Sequence, residues 1–244
     1  MKLECFNYEV KDSILVLTMN RPKVRNAWNR KMHEEYLEVL KKVNEDDSIR
    51  VVILTGAPPA FSSGTDLKAL GSGGAGFESS LSEGGAGGTI TLMHQFNKPI
   101  IAAINGAAVG MGVTITLLCD IRIASESATM CLRFTELGVV PEFASQYMLP
   151  RIIGMGRAME LCLTARTFGA REALSMGLVT RVVPDDQIMG AAMEIAANLA
   201  SKKEHSIRKT REMLYRHLDT DFAETVRQDR INFIEAVKAT YGDS

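Results

Sequence analysis

The sequence predicts an α/β core followed by a helical C-terminal part, on three observations. Short apolar runs with strand character alternate with segments of helical spacing through the first three quarters of the chain. From Asp186 onward the spacing is helical only. The chain has 244 residues, 46% hydrophobic and 23% charged, which suits a soluble globular protein with one sizeable core.

In chain order, residues 13–19 (SILVLTM) read as a buried strand that Arg21-Pro22 ends. Residues 27–43 place Trp28, Met32, Tyr36, Leu40 and Val43 on one helical face. Residues 50–55 (RVVILT) form a strand closed by Gly56 and the Pro58-Pro59 turn, and residues 65–70 start a short helix. A strand at 99–104, a buried helix at 111–118 and an extended run at 120–124 follow. Helices are expected near 157–164 and 170–176, then a strand at 178–183. Helices at 187–201, 205–217 and 222–241 complete the chain. Residues 1–185 are thus expected to form the core and 186–244 a helical region. No repeat of fixed period is visible in the letters.

Residues 71–88 (GSGGAGFESSLSEGGAGG) hold too little apolar surface for an ordered core. They read either as a mobile flap over a ligand pocket or as a plain surface insertion.

The net charge of -1 lacks the basic footprint of a nucleic-acid binder. Cys5, Cys119, Cys131 and Cys162 are widely spaced and read as reduced residues of a cytoplasmic protein. His33, His94, His205 and His217 form no ligand pattern, so no metal is expected. Residues 100–119 carry no charge, but Asn105, Gly106, Gly110, Gly112, Thr114 and Thr116 break them into strand, turn and buried helix rather than a membrane span. The N-terminus has no secretory apolar region, and the terminal Gly-Asp-Ser is not a peroxisomal address.

Glu142 is the one charged side chain between Leu137 and Pro150, in LGVVPEFASQYMLP. Burial disfavours an ionised carboxylate and moves it toward acid/base work near neutral pH. Pro-Glu before an apolar stretch also starts helices, so a capping role stands beside the catalytic one. Two glycine turns supply a reaction centre for such an acid. FSSGTDL (61–67) and NGAAVGMG (105–112) each follow a strand and open a helix. Amides at such turns lack helical partners and have the positive helix end behind them. Brought together, two turns offer two N–H donors to one oxygen.

The combination FSSGTDL, then NGAAVGMG with CDIRIAS after it, then LGVVPE, resembles the crotonase (enoyl-CoA hydratase/isomerase) superfamily. NRPKVRNAW (20–28) is similar to that family's first CoA-contacting stretch. The resemblance covers essentially the whole chain. It implies a crotonase-like (ClpP/crotonase) spiral of ββα units with C-terminal helices used to form a homotrimer or a dimer of trimers. It implies that the Ser63 and Met111 amides form an oxyanion hole for a thioester carbonyl. Coenzyme A then enters as part of the substrate, with no permanently bound cofactor. Lys23, Val24, Arg25, Ser62, Asp66, Leu67 and Lys68 are the expected CoA contacts. Trp28, Leu70, Thr114, Phe134 and Phe143 are the expected acyl pocket. Asp66 is also expected to tie the Ser63 turn.

Hydratases of the family carry two glutamates, at the positions that Thr114 and Phe134 hold here. The chain instead has Glu142 after Pro141, similar to monofunctional delta-3,delta-2-enoyl-CoA isomerases of the peroxisomal type. Shifting a double bond from 3-enoyl-CoA to trans-2-enoyl-CoA needs one base, whereas hydration uses a placed water and two carboxylates. Glu142 is preferred over Glu136, which is expected to pair with Arg133 or Arg157. Asp120 is expected to be structural. Hydration, another acyl-CoA reaction, or a non-catalytic CoA-binding subunit remain the alternatives.

Overall fold

The computed structural model describes residues 3–68, 86–216, 218 and 220–242. Two sheets organise it. The larger has six strands: β1 (Phe6–Lys11), β2 (Ile14–Met19), β3 (Val51–Gly56), β5 (Ile100–Ile104), β7 (Ile121–Ser125) and β10 (Arg181–Val183), in that spatial order. β1 and β2 are an antiparallel hairpin turning at Asp12 and Ser13, both with positive φ; the other pairings of this sheet are parallel. The smaller sheet orders β4 (Ala60–Ser62), β6 (Ala107–Val109), β8 (Thr129–Cys131) and β9 (Thr167–Gly169).

The connections explain this layout. β3 runs within a few residues into β4, β5 into β6, and β7 into β8, each time leaving the large sheet for the small one. This is the expected ββ repeat of the spiral. Its members are separated by connections of unequal length, which hides any fixed period. Strands of the small sheet are three residues long, too short for a period-two signal.

Nine helices are described. α1 (Arg30–Glu45) starts three residues later than expected, because the Asn29 side chain caps it by accepting from the Met32 amide at 2.9 Å. α2 (Ala86–Gln95) takes in the last three residues of the Gly/Ser-rich run, so the expected loop ends earlier than residue 88. The remainder of that run, and Leu70, lie outside the described residues. The helix expected from residue 65 does not start there: Thr65 forms a parallel bridge with Trp28, and Leu67 and Lys68 are a turn.

α3 (Met111–Thr114) continues as a 3-10 turn over Ile115–Leu118. α4 (Ser145–Ile153), α5 (Met155–Thr164) and α6 (Ala170–Ser175) come next, α4 packed on α5 and α6 on β9 and β10. α7 (Ile188–Ala200), α8 (Glu204–Arg216) and α9 (Phe222–Tyr241) follow. No described helix is long and apolar enough to cross a membrane. Residues 100–119 fold as β5, β6, α3 and its 3-10 extension.

The large sheet buries both faces, as a parallel sheet does. Val52, Leu54, Ile100, Ala102 and Ile104 face one cluster, shared with the aromatic group around Trp28. Val51, Ile53, Ile101 and Ala103 alternate with them and face Ile188, Ala191, Ala192 and Ala196 of α7. The first helix beyond residue 186 is therefore part of the core. α8 is pinned to the core by Arg211, whose Nε donates to Asp120 Oδ1 at 2.8 Å and whose Nη2 donates to Met93 O at 2.9 Å. Asp120 Oδ2 accepts the Ile100 amide at 2.7 Å, so this acid is structural, as expected.

Candidate active site

Glycine brings the two turns together. Gly64 has φ +86°, and a Cβ there would lie 2.5 Å from Val109 O and 3.2 Å from the Met111 nitrogen. A Cβ on Gly112 would lie 2.4 Å from Ser62 O. The 2.5 and 2.4 Å approaches are shorter than a side chain allows, so glycine is what lets the turn after β4 press against the start of α3.

Within the first turn the consecutive amides have different fates. The Ser63 N–H, the expected oxyanion donor, donates to Arg25 O at 2.8 Å and is taken. The Gly64 N–H donates to Ser62 Oγ at 3.1 Å, and that hydroxyl donates to Asn26 O at 2.9 Å. Ser62 is fully buried, so its role is to brace the turn rather than to contact a ligand. Among the described residues, the Thr65 N–H has no hydrogen-bond acceptor. Met111 opens α3, so its N–H has none inside the helix. Thr65 Oγ1 lies 3.8 Å from the Met111 sulfur, which joins the two residues.

The loop before α1 frames this turn. Asn26, fully buried with φ +56°, donates through Nδ2 to Ala57 O and Ala60 O, both at 2.8 Å, and accepts the Arg21 amide at 2.9 Å. Arg21 reaches Asp66 at 3.1 Å, so Asp66 is bound to a cation rather than open to a ligand. Asn26 and Arg21 were not singled out in the sequence; neither an Arg before Pro22 nor an Asn four residues after it carries a distinguishing signal. Lys23, Val24 and Arg25 are exposed and sit beside the Ser63 turn, where Ser63 Oγ donates to Val24 O at 3.1 Å. Leu67 and Lys68 are exposed on its other side.

Several expected pocket residues belong to the core. Trp28 is 1% exposed and packs against Phe6, His33 and Tyr36 with ring centroids 5.0–5.8 Å apart. Phe143 and Phe134 are also buried. Phe134 lies beside the second turn, its ring tip 3.9 Å from where a Cβ on Gly110 would stand.

Glu142 sits just before α4, in a segment whose next two residues, Phe143 and Ala144, both have positive φ. That backbone costs about 1–2 kcal/mol per residue, and the buried Phe143 ring helps hold it. The carboxylate is partly exposed and its pKa is raised to about 7, by burial against apolar groups. A hydrogen bond from Thr114 opposes that shift: Thr114 Oγ1 lies 3.2 Å from Glu142 Oε1. Glu136 instead pairs with Arg133 at 2.6 Å, on the surface. Among the described residues no cluster of three or more His, Cys, Asp or Glu is placed to hold a metal ion.

The arrangement thus holds a carboxylate with a raised pKa against Thr114 of α3, and the start of α3 against the turn after β4. The family model for enoyl-CoA hydratase/isomerase matches residues 9–241. The chain is 35% identical over 196 residues to the 1,2-epoxyphenylacetyl-CoA isomerase of Escherichia coli (strain K12), covering 79% of this chain and 75% of that protein. It superposes on the crystal structure of an enoyl-CoA hydratase from Bacillus anthracis with a TM-score of 0.90 and 33% identity, covering 94% of this chain and 90% of that one. A monofunctional enoyl CoA isomerase from M. smegmatis matches with a TM-score of 0.78 and 33% identity, covering 92% and 98%. The two sheets, the C-terminal helices and the paired glycine turns thus have one origin: the chain belongs to the crotonase, or enoyl-CoA hydratase/isomerase, family.

Proposed function

We propose that this acyl-CoA enzyme is an isomerase that converts 3-enoyl-CoA to trans-2-enoyl-CoA with Glu142 as its single base. The observation that carries the reading is the partner of Glu142. It is a hydroxyl, Thr114, and not a second carboxylate.

The substrate thioester oxygen lies between the Thr65 and Met111 amides; Thr65 replaces Ser63 as first donor because the Ser63 amide is occupied. Glu142 takes a proton from the α carbon; the C–H electron pair forms a double bond between the α carbon and the carbonyl carbon, and the carbonyl π pair moves onto the oxygen, giving a dienolate that keeps the β,γ double bond. The two amides stabilise the developing oxyanion. Glu142 returns the proton to the γ carbon. A base with a pKa near 7 suits both steps, since it must accept and release a proton in one turnover. Hydration would need a second carboxylate to share the work on water, and Thr114 and Phe134 supply none.

Lys23, Arg25 and Lys68 are exposed around the turn and would meet the CoA phosphates. The apolar residues Phe222, Val226, Phe233, Val237 and Tyr241 are exposed along α9 and support assembly with further copies, as a trimer.

The test is a panel of thioesters with the pure protein. Turnover of 3-enoyl-CoA without rapid hydration of crotonyl-CoA is expected. Rapid hydration would replace this reading with a hydratase, and CoA binding without any turnover would replace it with a binding subunit.

A further inference from the structure

Thr114 has an unusual hydrogen-bonding position for a threonine in a helix. Such a hydroxyl ordinarily bonds back to a carbonyl three or four residues earlier. Thr116, two residues on, does so: its Oγ1 donates to Val113 O at 2.7 Å. Thr114 is fully buried like Thr116, yet its distance to Met111 O is 3.4 Å. Its nearer acceptor is Glu142 Oε1, at 3.2 Å and 28 residues away. One hydroxyl proton thus stands between the carbonyl of the oxyanion residue and the carboxylate of the base.

We propose that Thr114 is a positioning residue for Glu142: it donates to Oε1, fixes the rotation of the carboxylate, and leaves Oε2 as the oxygen that carries the proton. This rests on the isomerase reading and adds to it which oxygen acts and what holds it. Oε2 removes the α proton, the C–H electron pair enters the dienolate, and the same oxygen releases that proton to the γ carbon. Thr114 keeps its own proton throughout. When Glu142 is protonated, Oε1 becomes a poorer acceptor and the hydroxyl can turn to Met111 O, which lies on the same turn of α3.

Two further facts agree. Burial and the Thr114 hydrogen bond are the two causes behind the Glu142 shift, so among the described residues no charged side chain competes to orient it. Gln146 on α4 donates to Pro141 O, which fixes the backbone before Glu142 but leaves the carboxylate to Thr114.

The test is a pH profile of 3-enoyl-CoA isomerisation for wild type, Thr114→Val, Thr114→Ser and Glu142→Gln. A hydrogen bond to the ionised form lowers a carboxylate's pKa, so its loss raises it. Thr114→Val is expected to move the acid limb of kcat/KM upward by about one pH unit and to lower kcat at pH 6 about tenfold. KM should stay unchanged, and Thr114→Ser should restore the wild-type profile. If Thr114→Val melts at growth temperature, Thr114→Ala is read in its place against the same serine variant. A wild-type acid limb in the valine or alanine variant, or a serine variant as impaired as the valine one, overturns the inference. The isomerase reading fails separately, if Glu142→Gln keeps its activity.

Discussion

The Glu142 carboxylate has a folded-state pKa of about 7 against an ordinary value of 4.5, which links activity and stability with opposite sign. The base works ionised, so kcat/KM should climb as pH rises through about 7. The folded protein binds the Glu142 proton more tightly than the unfolded chain. Stability from this group is therefore highest below pH 4.5 and falls as pH rises to 7, by up to about 3 kcal/mol. Glu142→Gln removes that loss. Denaturant unfolding should find the variant more stable than wild type at pH 8 and equal to it at pH 4; a less stable variant at pH 8 would mean that the carboxylate is held rather than strained. Glu142 was legible in the sequence because an isolated acid in an apolar run is a local property. Thr65 was not, because which of three successive amides is left free depends on Arg25 O and Ser62 Oγ, brought in from elsewhere in the fold. Burial of Trp28 was not legible either, because Phe6 and Tyr36, which enclose it, come from other elements.

Among elements, the contact between the two glycine turns sets the site. A methyl group on Gly112 would strike the Ser62 backbone, and neither partner is a flexible side-chain end. Gly112→Ala should therefore displace the start of α3 and with it the Met111 amide. Losing one such donor lowers kcat by about 10²–10³, and the overpacking costs about 1–3 kcal/mol of stability. Gly190→Ala in α7, where nothing lies within 4 Å of the new Cβ, is the control: kcat is expected to be unchanged and stability to rise by about 0.5–1 kcal/mol. Steady-state kinetics and melting of the two variants decide it; equal kcat in both would show that the turns do not need their close approach. Long elements such as α9 were legible to the residue, since twenty residues give many helical periods. The three-residue strands of the small sheet were not, because they offer a single alternation. β1 was missed because Phe6 alone of its residues is buried.

For the whole molecule, the order of strands and helices was enough to predict an α/β core with a helical tail, and the motif spacing brought the spiral. The long-range ties were not visible. Arg211 and Asp120 are 91 residues apart, and their pairing depends on α8 folding back against the start of β7 and the end of α2. The same holds for α7, whose alanines read as a generic helix but fill one whole face of the large sheet. Assembly of these parts brings Glu142 against Thr114 of α3, and the proposed isomerase chemistry depends on that single acid. The most direct measurement is the rate of 3-enoyl-CoA isomerisation by Glu142→Gln at pH 8, with binding of the substrate's CoA thioester followed by calorimetry on the same sample. Binding is expected to persist while the rate falls by about 10²–10⁴. A rate within a few-fold of wild type would contradict it.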